Sequence, residues 1–128
     1  MNITKLQQAF NDAVAIREYE NSVLINDNMV YQDGSKESFA IGLIEQDGDI
    51  VLNDLGVTYD RLLKKDFDLN ADQDLQQYKL RVLKKFKLFF SDNDELCTLA
   101  SSEKDLPIAL GRLEQGMILL GYIDLMFE

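Results

Sequence analysis

Residues 39–54 read FAIGLIEQDGDIVLND, and this stretch decides the fold. Two apolar runs rich in strand-forming residues, 39–46 and 49–54, lie on either side of Asp47 and Gly48. An Asp-Gly pair between two such runs is a strong signal for a tight hairpin, because both turn positions favour positive φ. The stretch therefore predicts two antiparallel strands that are neighbours in a sheet.

The flanking sequence predicts two more strands and several helices. Residues 22–26 and 96–100 have the composition of short buried strands. Apolar residues at helical spacing indicate an N-terminal, a central and a C-terminal helix over 3–17, 75–90 and 106–127. We therefore expect an α+β fold in a single domain over residues 1–128, with a small, mainly antiparallel sheet of about four strands packed against these helices.

Local signals predict how two of the helices begin and how one ends. Thr58 is expected to cap a short helix by accepting a hydrogen bond from an exposed backbone N–H. Ser102 with Asp105 three residues later resembles a capping box, and Pro107 suits the first turn of the helix that follows. The glycines of that last helix predict close packing or a break near Gly121.

The composition narrows the class of protein. The 128 residues carry 13 Lys and Arg against 23 Asp and Glu. The resulting net charge of −10 disfavours nonspecific binding to nucleic acid or to anionic membranes. The chain has no histidine, the side chain that most often serves as a general base or as a metal ligand in proteins. The single cysteine, Cys97, lies between apolar residues, which predicts a buried, inert thiol and favours the reducing cytoplasm.

No signal peptide, membrane span or cofactor is expected from the sequence. The N-terminal residues lack both a charged region and a continuous apolar region. The longest apolar stretch, MILLGYIDLMF, is far shorter than the ~20 residues that a bilayer span needs.

Acidic residues concentrated between positions 27 and 54 define the first candidate site. Carboxylates that meet at one sheet edge would suit Mg²⁺ or Mn²⁺, so a metal-dependent hydrolase or nuclease centred on Asp33, Glu45 and Asp54 is one hypothesis. The lysine that usually accompanies such acids in nucleases is absent, and turns favour Asp for structural reasons. Solvated carboxylates that form an acidic binding surface are the simpler interpretation. The residues of this candidate acidic surface are Asp27, Asp33, Glu37, Glu45, Asp47, Asp49 and Asp54.

Asp54 stands between a strand and a helix, a position where enzymes often place a catalytic acid. The sequence VLNDLGVTYDRL, residues 51–62, also fits a plain turn. In that interpretation Asp54 accepts hydrogen bonds from nearby backbone N–H groups. We expect this structural role, and we assign no catalytic or metal-binding residue.

The basic face of the central helix is a second candidate site. Residues 75–90 contain five basic residues and no acidic one. Arg81, Lys84 and Lys85 fall within one turn and could bind phosphate, although an exposed amphipathic face is the simpler interpretation. The aromatic residues at the end of this helix are assigned to the core: Phe86, Phe89 and Phe90.

Two strings carry a resemblance to a known family. YQDGSKESFAIGLIEQDGDIVLNDLGVTYDRL and ELCTLASSEKDLPIALGRLEQGMILLGYIDL resemble an uncharacterised family of bacterial and prophage proteins, domain of unknown function 1828. The resemblance covers roughly residues 24–126, with Asn53 where the family has threonine and Gln32 where it has proline. It implies the order of elements and a bacterial or phage origin, and it implies no activity. The positions that coincide best are Asp33, Gly34, Asp54, Gly56 and Thr58.

The charge and the resemblance together favour a non-enzymatic protein that docks its acidic surface onto a protein partner. One form of this hypothesis is a DNA-mimicking inhibitor of a nucleic-acid-handling enzyme, in which carboxylates occupy the positions of phosphates. The alternatives are the metal-dependent hydrolase and a nucleic-acid-binding regulator that uses residues 79–87. A homodimer through the apolar face of the C-terminal helix is a further expectation.

Overall fold

The computed structural model describes residues 2–11, 14–20, 22–30 and 38–126, apart from the side chains of residues 27, 28 and 30. Its centre is one six-stranded sheet in which every neighbouring pair of strands is antiparallel. The strands are β1 (Ala15–Glu18), β2 (Val23–Val30), β3 (Ser38–Gln46), β4 (Asp49–Asn53), β5 (Leu88–Phe90) and β6 (Leu96–Ala100). Their order across the sheet is β1-β2-β3-β4-β6-β5.

Five α-helices accompany the sheet in the described part of the chain. They are α1 (Ile3–Ala9), α2 (Val57–Leu63), α3 (Gln73–Phe86), α4 (Leu106–Gly121) and α5 (Ile123–Met126), and a 3-10 turn (Glu103–Asp105) precedes α4. The predicted α+β class is confirmed, with six strands instead of about four.

The hairpin between β3 and β4 has the predicted tight turn. Gln46 pairs with Asp49, and the two turn residues Asp47 and Gly48 have φ of 53° and 86°. These left-handed conformations match the twist of the two strands, which is why Asp-Gly is favoured there. The hairpin thereby fixes the register of the central pair of strands.

The N-terminal helix is shorter than predicted. It ends at Ala9, and Asn11 then takes a φ of 54°, a left-handed conformation that Asn tolerates and that ends helices. The residues expected in the last turn of this helix form β1 instead, with Ile16 opposite Ile25 of β2. Pairing at the sheet edge therefore overrides the helical spacing.

The central helix also ends early, and the predicted position of Phe89 is wrong. Lys87 caps the helix at a φ of 57°, and its backbone N–H donates to the carbonyl of Leu83. The next three residues form the edge strand β5, because they can pair with β6. Alternation along β5 buries Phe90 partly against the core and leaves Phe89 40% exposed.

Two predicted caps are absent. Thr58 lies inside the first turn of α2, whose N-cap position is held by Gly56. The hydroxyls of Ser101 and Ser102 donate to the carboxylate of Asp105 at 2.8 and 3.2 Å, so no capping box forms at α4. Pro107 does lie in the first turn of α4, as predicted.

The C-terminal helix breaks where the glycine pattern predicts. α4 has 16 residues, about 24 Å, and ends at Gly121 before the short helix α5. Its apolar side is buried in the chain's own core. A Cβ placed on Gly116 would lie 2.2 Å from Cδ1 of Leu88, so this glycine allows α4 to approach β5 closely.

The core lies between the helices and one face of the sheet, which we call the helix face. Alternate strand residues point into it, together with the apolar sides of α1, α3 and α4. A smaller cluster joins α2, α3 and α5 through Leu62, Leu69, Leu75 and Ile123. The buried strand residues of the helix face are Val23, Ile25, Phe39, Ile41, Leu43, Ile50, Leu52, Leu88, Leu96 and Ala100.

Candidate functional site

The opposite face of the sheet, which we call the open face, is apolar across neighbouring strands. One row of register partners consists of Ile44, Val51 and Leu99. A second row consists of Leu24, Gly42, Asn53, Cys97 and Phe89. The two rows are adjacent, so they form one continuous surface.

Large apolar side chains on the open face are exposed. Ile44 is 42% exposed, Leu99 46% and Phe89 40%, and none of them belongs to the two hydrophobic clusters that include the helices. An antiparallel sheet with one solvated face usually carries polar residues there. The open face of this sheet therefore carries exposed apolar side chains, and contiguous patches of this kind mark binding sites.

Asp54, at the end of β4, is a structural corner. Its carboxylate is fully buried and accepts hydrogen bonds from the backbone N–H groups of Gly56, Thr58 and Leu96 at 2.9, 3.0 and 2.8 Å. Its own N–H donates to the carbonyl of Leu96 at 3.0 Å. The predicted role in the turn is confirmed, and the same carboxylate performs the capping that was predicted for Thr58. Because it is buried, Asp54 contributes nothing to an exposed acidic surface.

Asn53, the residue before it, points to the open face instead. Its Oδ1 accepts from the N–H of Leu55 at 2.9 Å. Leu55 has a φ of 60°, a conformation that costs a leucine energy, and its side chain is 46% exposed. A Cβ on Gly42 would lie 3.1 Å from both Asn53 Oδ1 and Leu55 Cδ2, so the glycine makes room for these two side chains.

A cavity of about 370 Å³ opens beside this corner. Gly42 and Asn53 contribute the strand part of its lining, and Glu95 contributes a carboxylate that accepts from the Ser91 hydroxyl at 3.2 Å. The volume lies at the low end of ligand sites, ~300–1,000 Å³, and the lining is mostly apolar with a few polar groups. The cavity can therefore hold one compact group with a polar end. The remaining lining residues are Tyr19, Ser22, Val23, Leu24, Ile44 and Leu55.

The seven residues of the candidate acidic surface are not brought together among the described residues. Asp47 lies at the hairpin turn, and Asp49 pairs with Gln46 on the side of the open face. Glu45 pairs with the core residue Ile50 and so lies on the opposite side of the sheet. Asp33, Glu37 and the side chain of Asp27 fall outside the described residues.

The hypothetical metal site gains no support from this arrangement. Glu45 and Asp54 lie four residues apart along the β3–β4 ladder, roughly 13 Å, and the buried Asp54 carboxylate already accepts three backbone N–H bonds. Over residues 2–11, 14–20, 22–30 and 38–126, no three His, Cys, Asp or Glu residues are grouped so that they could hold a metal ion.

The basic face of α3 is exposed. Arg81, Lys84 and Lys85 are all solvent-accessible. The Arg81 guanidinium lies 5.8 Å from the centre of the Tyr78 ring, and the Lys85 ammonium 5.7 Å from that of Phe86. These contacts describe an amphipathic helix whose cations rest on its own aromatic side chains.

Cys97 is buried, as predicted, and is 3% exposed. Burial raises the pKa of its thiol to about 12, with further contributions from the negative charges of Glu95 and Asp54. The thiol therefore stays neutral at physiological pH, and a neutral thiol is a poor nucleophile.

The open face and the cavity were missed by the sequence analysis. The available signal is that FAIGLI is apolar at successive positions, and that LCTLA is apolar at every position except Thr98. Such runs are typical of strands that are covered on both faces. The described helices cover only one face, so several of the apolar residues on the other face remain exposed: Ile44, Phe89 and Leu99.

Comparison with known protein families gives a match over most of the chain. The profile of the family described as Domain of unknown function DUF1828 matches residues 29–119, a range that contains β3, β4, the Asp54 corner and α3. No curated protein and no solved structure matches the chain. In the described ranges, no helix is both long enough and apolar enough to span a bilayer. The chain belongs to the family of proteins that carry the domain of unknown function DUF1828.

Proposed function

We propose that this protein is a non-enzymatic binding module that docks onto a protein partner through the open face of its sheet. The observation that supports the proposal is the exposure of Ile44, Leu99 and Phe89 on strands of an antiparallel sheet. Water solvates these side chains poorly, and a partner that covered them would recover about 25 cal/mol for each Å² of apolar area buried. Association through this face is therefore favourable.

The charge of the chain favours a basic partner. The net charge is −10, and Asp47 and Asp49 lie at the hairpin that borders the exposed row of Ile44. Acids at the edge of an apolar interface increase the rate of association with a positively charged surface and discriminate against acidic ones. A nucleic-acid-handling protein carries such a surface, so a DNA-mimicking inhibitor is a specific form of the proposal.

The interior supports a role without catalysis. The Asp54 carboxylate is used by backbone donors, and the Cys97 thiol is neutral and buried. The proposal also includes a bacterial or mobile-element origin, which follows from the family resemblance, and a cytoplasmic location, which fits the free thiol of Cys97.

Exposed cations support one alternative function. Arg81, Lys84 and Lys85 could bind phosphate, and a nucleic-acid-binding regulator would use them. In that case, affinity for DNA or RNA would fall steeply with salt and would be lost after Lys84→Glu with Lys85→Glu. Unchanged affinity in the double variant excludes this alternative.

Site-specific photo-crosslinking tests docking through the open face. A benzophenone amino acid replaces Leu99 on the open face or, as the control, Leu80 on α3, which is 59% exposed. In the cells that naturally make the protein, we expect a discrete adduct from position 99 and none from position 80. Asp47→Lys with Asp49→Lys should reduce the yield of that adduct. No adduct at position 99, or equal yields at the two positions, contradicts the proposal.

A further inference from the structure

The cavity beside Asn53 has the chemistry of a site for one cationic side chain. Resting on the proposed function, we infer that it binds an arginine side chain that projects from a basic segment of the protein partner. Among the described residues that line the cavity, only Glu95 is charged. The surrounding walls are apolar, which suits the aliphatic part of a long side chain with a charged end.

Asn53 supplies a hydrogen-bond donor at the cavity. The residue is only 4% exposed, and its Oδ1 is held by the N–H of Leu55. That bond fixes the orientation of the amide, so its Nδ2 hydrogens face away from Leu55, and no acceptor among the described residues bonds to them. The Nδ2 group lines the cavity and can donate to a ligand oxygen. The main-chain carbonyl of the bound arginine can accept this bond.

Glu95 supplies the acceptor for the cation. Its Oε1 accepts from the Ser91 hydroxyl at 3.2 Å, and this bond orients the carboxylate while Oε2 stays available. Charge-assisted bonds between guanidinium and carboxylate are short and strong. The turns that contain the lining residues Tyr19 and Glu95 carry three more acidic residues, which add negative potential near the cavity: Glu20, Asp92 and Asp94.

The apolar lining favours arginine over lysine. Tyr19 is 50% exposed and is one of the lining residues, and an aromatic side chain offers a surface on which a planar guanidinium can stack. The three carbons of the stem can rest on Leu24, Ile44 and Leu55. The lysine ammonium is more strongly hydrated and stacks less well, so it gains less in such a site. Gly42 keeps the bottom of the cavity open for the stem.

A peptide titration observed by NMR tests the inference. The probe is acetyl-Leu-Arg-Leu-amide, and the matched control is the same peptide with citrulline, which keeps the shape of arginine and removes its charge. We expect the arginine peptide to shift the side-chain amide signals of Asn53 and the backbone signals of Gly42 and Leu55. Its affinity should be about tenfold higher than that of the citrulline peptide.

Two variants, each of which neutralises one carboxylate, show which negative charge binds the arginine peptide. Glu95→Gln should lower the affinity for the arginine peptide to that for the citrulline peptide. Asp49→Asn removes an acid at the open-face side of the hairpin outside the cavity, and it should leave the affinity within about twofold. Unperturbed signals elsewhere in the spectrum of Glu95→Gln show that the fold is retained.

Several results overturn the inference. These are equal affinity for the arginine and citrulline peptides, equal affinity for a lysine peptide, shifts confined to residues outside the cavity, and no shift at millimolar peptide. Photo-crosslinking separates this inference from the proposed function. If Glu95→Gln keeps the full adduct at position 99 and the peptide does not bind, docking stands and the arginine site fails. If the peptide binds through Glu95 and no adduct forms, the arginine site stands and docking through the open face fails.

Discussion

Leu43 and Ile44 are neighbours in β3, and they experience opposite environments. Leu43 points to the helix face and is fully buried, whereas Ile44 points to the open face and is 42% exposed. Both are large apolar residues, so composition alone assigns both to a core. The difference shows that the described helices cover one face of the sheet and leave the other without a covering layer. The helix face stabilises the fold, and the open face remains available for association.

Asn53 and Asp54 repeat this contrast at the end of β4. Asp54 points inward and accepts three backbone N–H bonds, from the start of α2 and from β6, whereas Asn53 points outward and lines the cavity. Of these two adjacent polar residues, Asp54 therefore stabilises the fold and Asn53 belongs to the candidate binding site. Substitutions on the two sides should differ accordingly.

The largest effect is expected at the corner. Asp54→Ala leaves three backbone N–H groups without their acceptor, and each orphaned buried donor costs about 1–3 kcal/mol. We expect the free energy of unfolding, measured by urea titration, to fall by about 3–5 kcal/mol. Asp54→Asn keeps one oxygen and should lose roughly half as much. A loss below about 1 kcal/mol in Asp54→Ala would show that the corner is not required for stability.

Substitutions of Leu43 and Ile44 in β3 compare the two faces of the sheet directly. Leu43→Ala should lower the free energy of unfolding by about 2–5 kcal/mol, because it leaves a cavity in the core. Ile44→Thr keeps a β-branched side chain in a partly exposed position and should change it by only about 0.5 kcal/mol. The same Ile44→Thr variant should reduce the adduct formed at position 99. Comparable destabilisation by both variants would mean that the open face is covered within the molecule.

Two glycines of α4 test how tightly the helix face is packed. Gly116→Ala places a methyl group against Leu88 and should destabilise the protein by about 1–3 kcal/mol in thermal or urea unfolding. At Gly111 a Cβ meets no atom within 4 Å, so Gly111→Ala should stabilise the helix by up to ~1 kcal/mol. Equal effects of the two substitutions would contradict the close approach of α4 to β5.

The effect expected at Cys97 appears only at alkaline pH and is absent near neutral pH. The folded thiol has a pKa of about 12 against an ordinary value of 9.0, so the unfolded chain loses this proton first as pH rises. The contribution of Cys97 to stability is therefore complete below about pH 9 and is lost as pH rises towards 12. Comparison with Cys97→Ala over this range isolates the thiol from other titrating groups.

Alkylation gives an independent measurement of the same thiol. Iodoacetamide reacts with thiolate, so at pH 8 the folded protein should react far more slowly than the urea-unfolded chain. Equal rates in the two states would show that the Cys97 thiol is accessible in the folded protein and that its pKa is not raised.

Local sequence patterns predicted the features whose causes are local. The Asp47-Gly48 hairpin follows from backbone preferences, and the role of Asp54 follows from the tendency of Asx residues to accept nearby N–H groups. The α+β class and the family were also predicted correctly. These features needed no knowledge of which strands are neighbours.

The errors occurred where distant pairing overrides a local preference. Residues 15–17 and 88–90 fit the spacing of the helices before them, yet they form edge strands because β2 and β6 offer unpaired backbone groups. The predicted cap at Thr58 failed for a similar reason. The carboxylate of Asp54, which also binds Leu96 from a separate strand, occupies the position in which a capping side chain would act.

The sequence by itself determined the central hairpin, the burial of Cys97 and an excess of apolar residues over what one sheet face requires, because these depend on short-range preferences and on composition. Only the tertiary structure decided which of those apolar residues are exposed, that Glu95 and Asn53 line one cavity, and that the described acids lie on different sides of the sheet. Strand order and register bring distant residues together, and no local interaction encodes them.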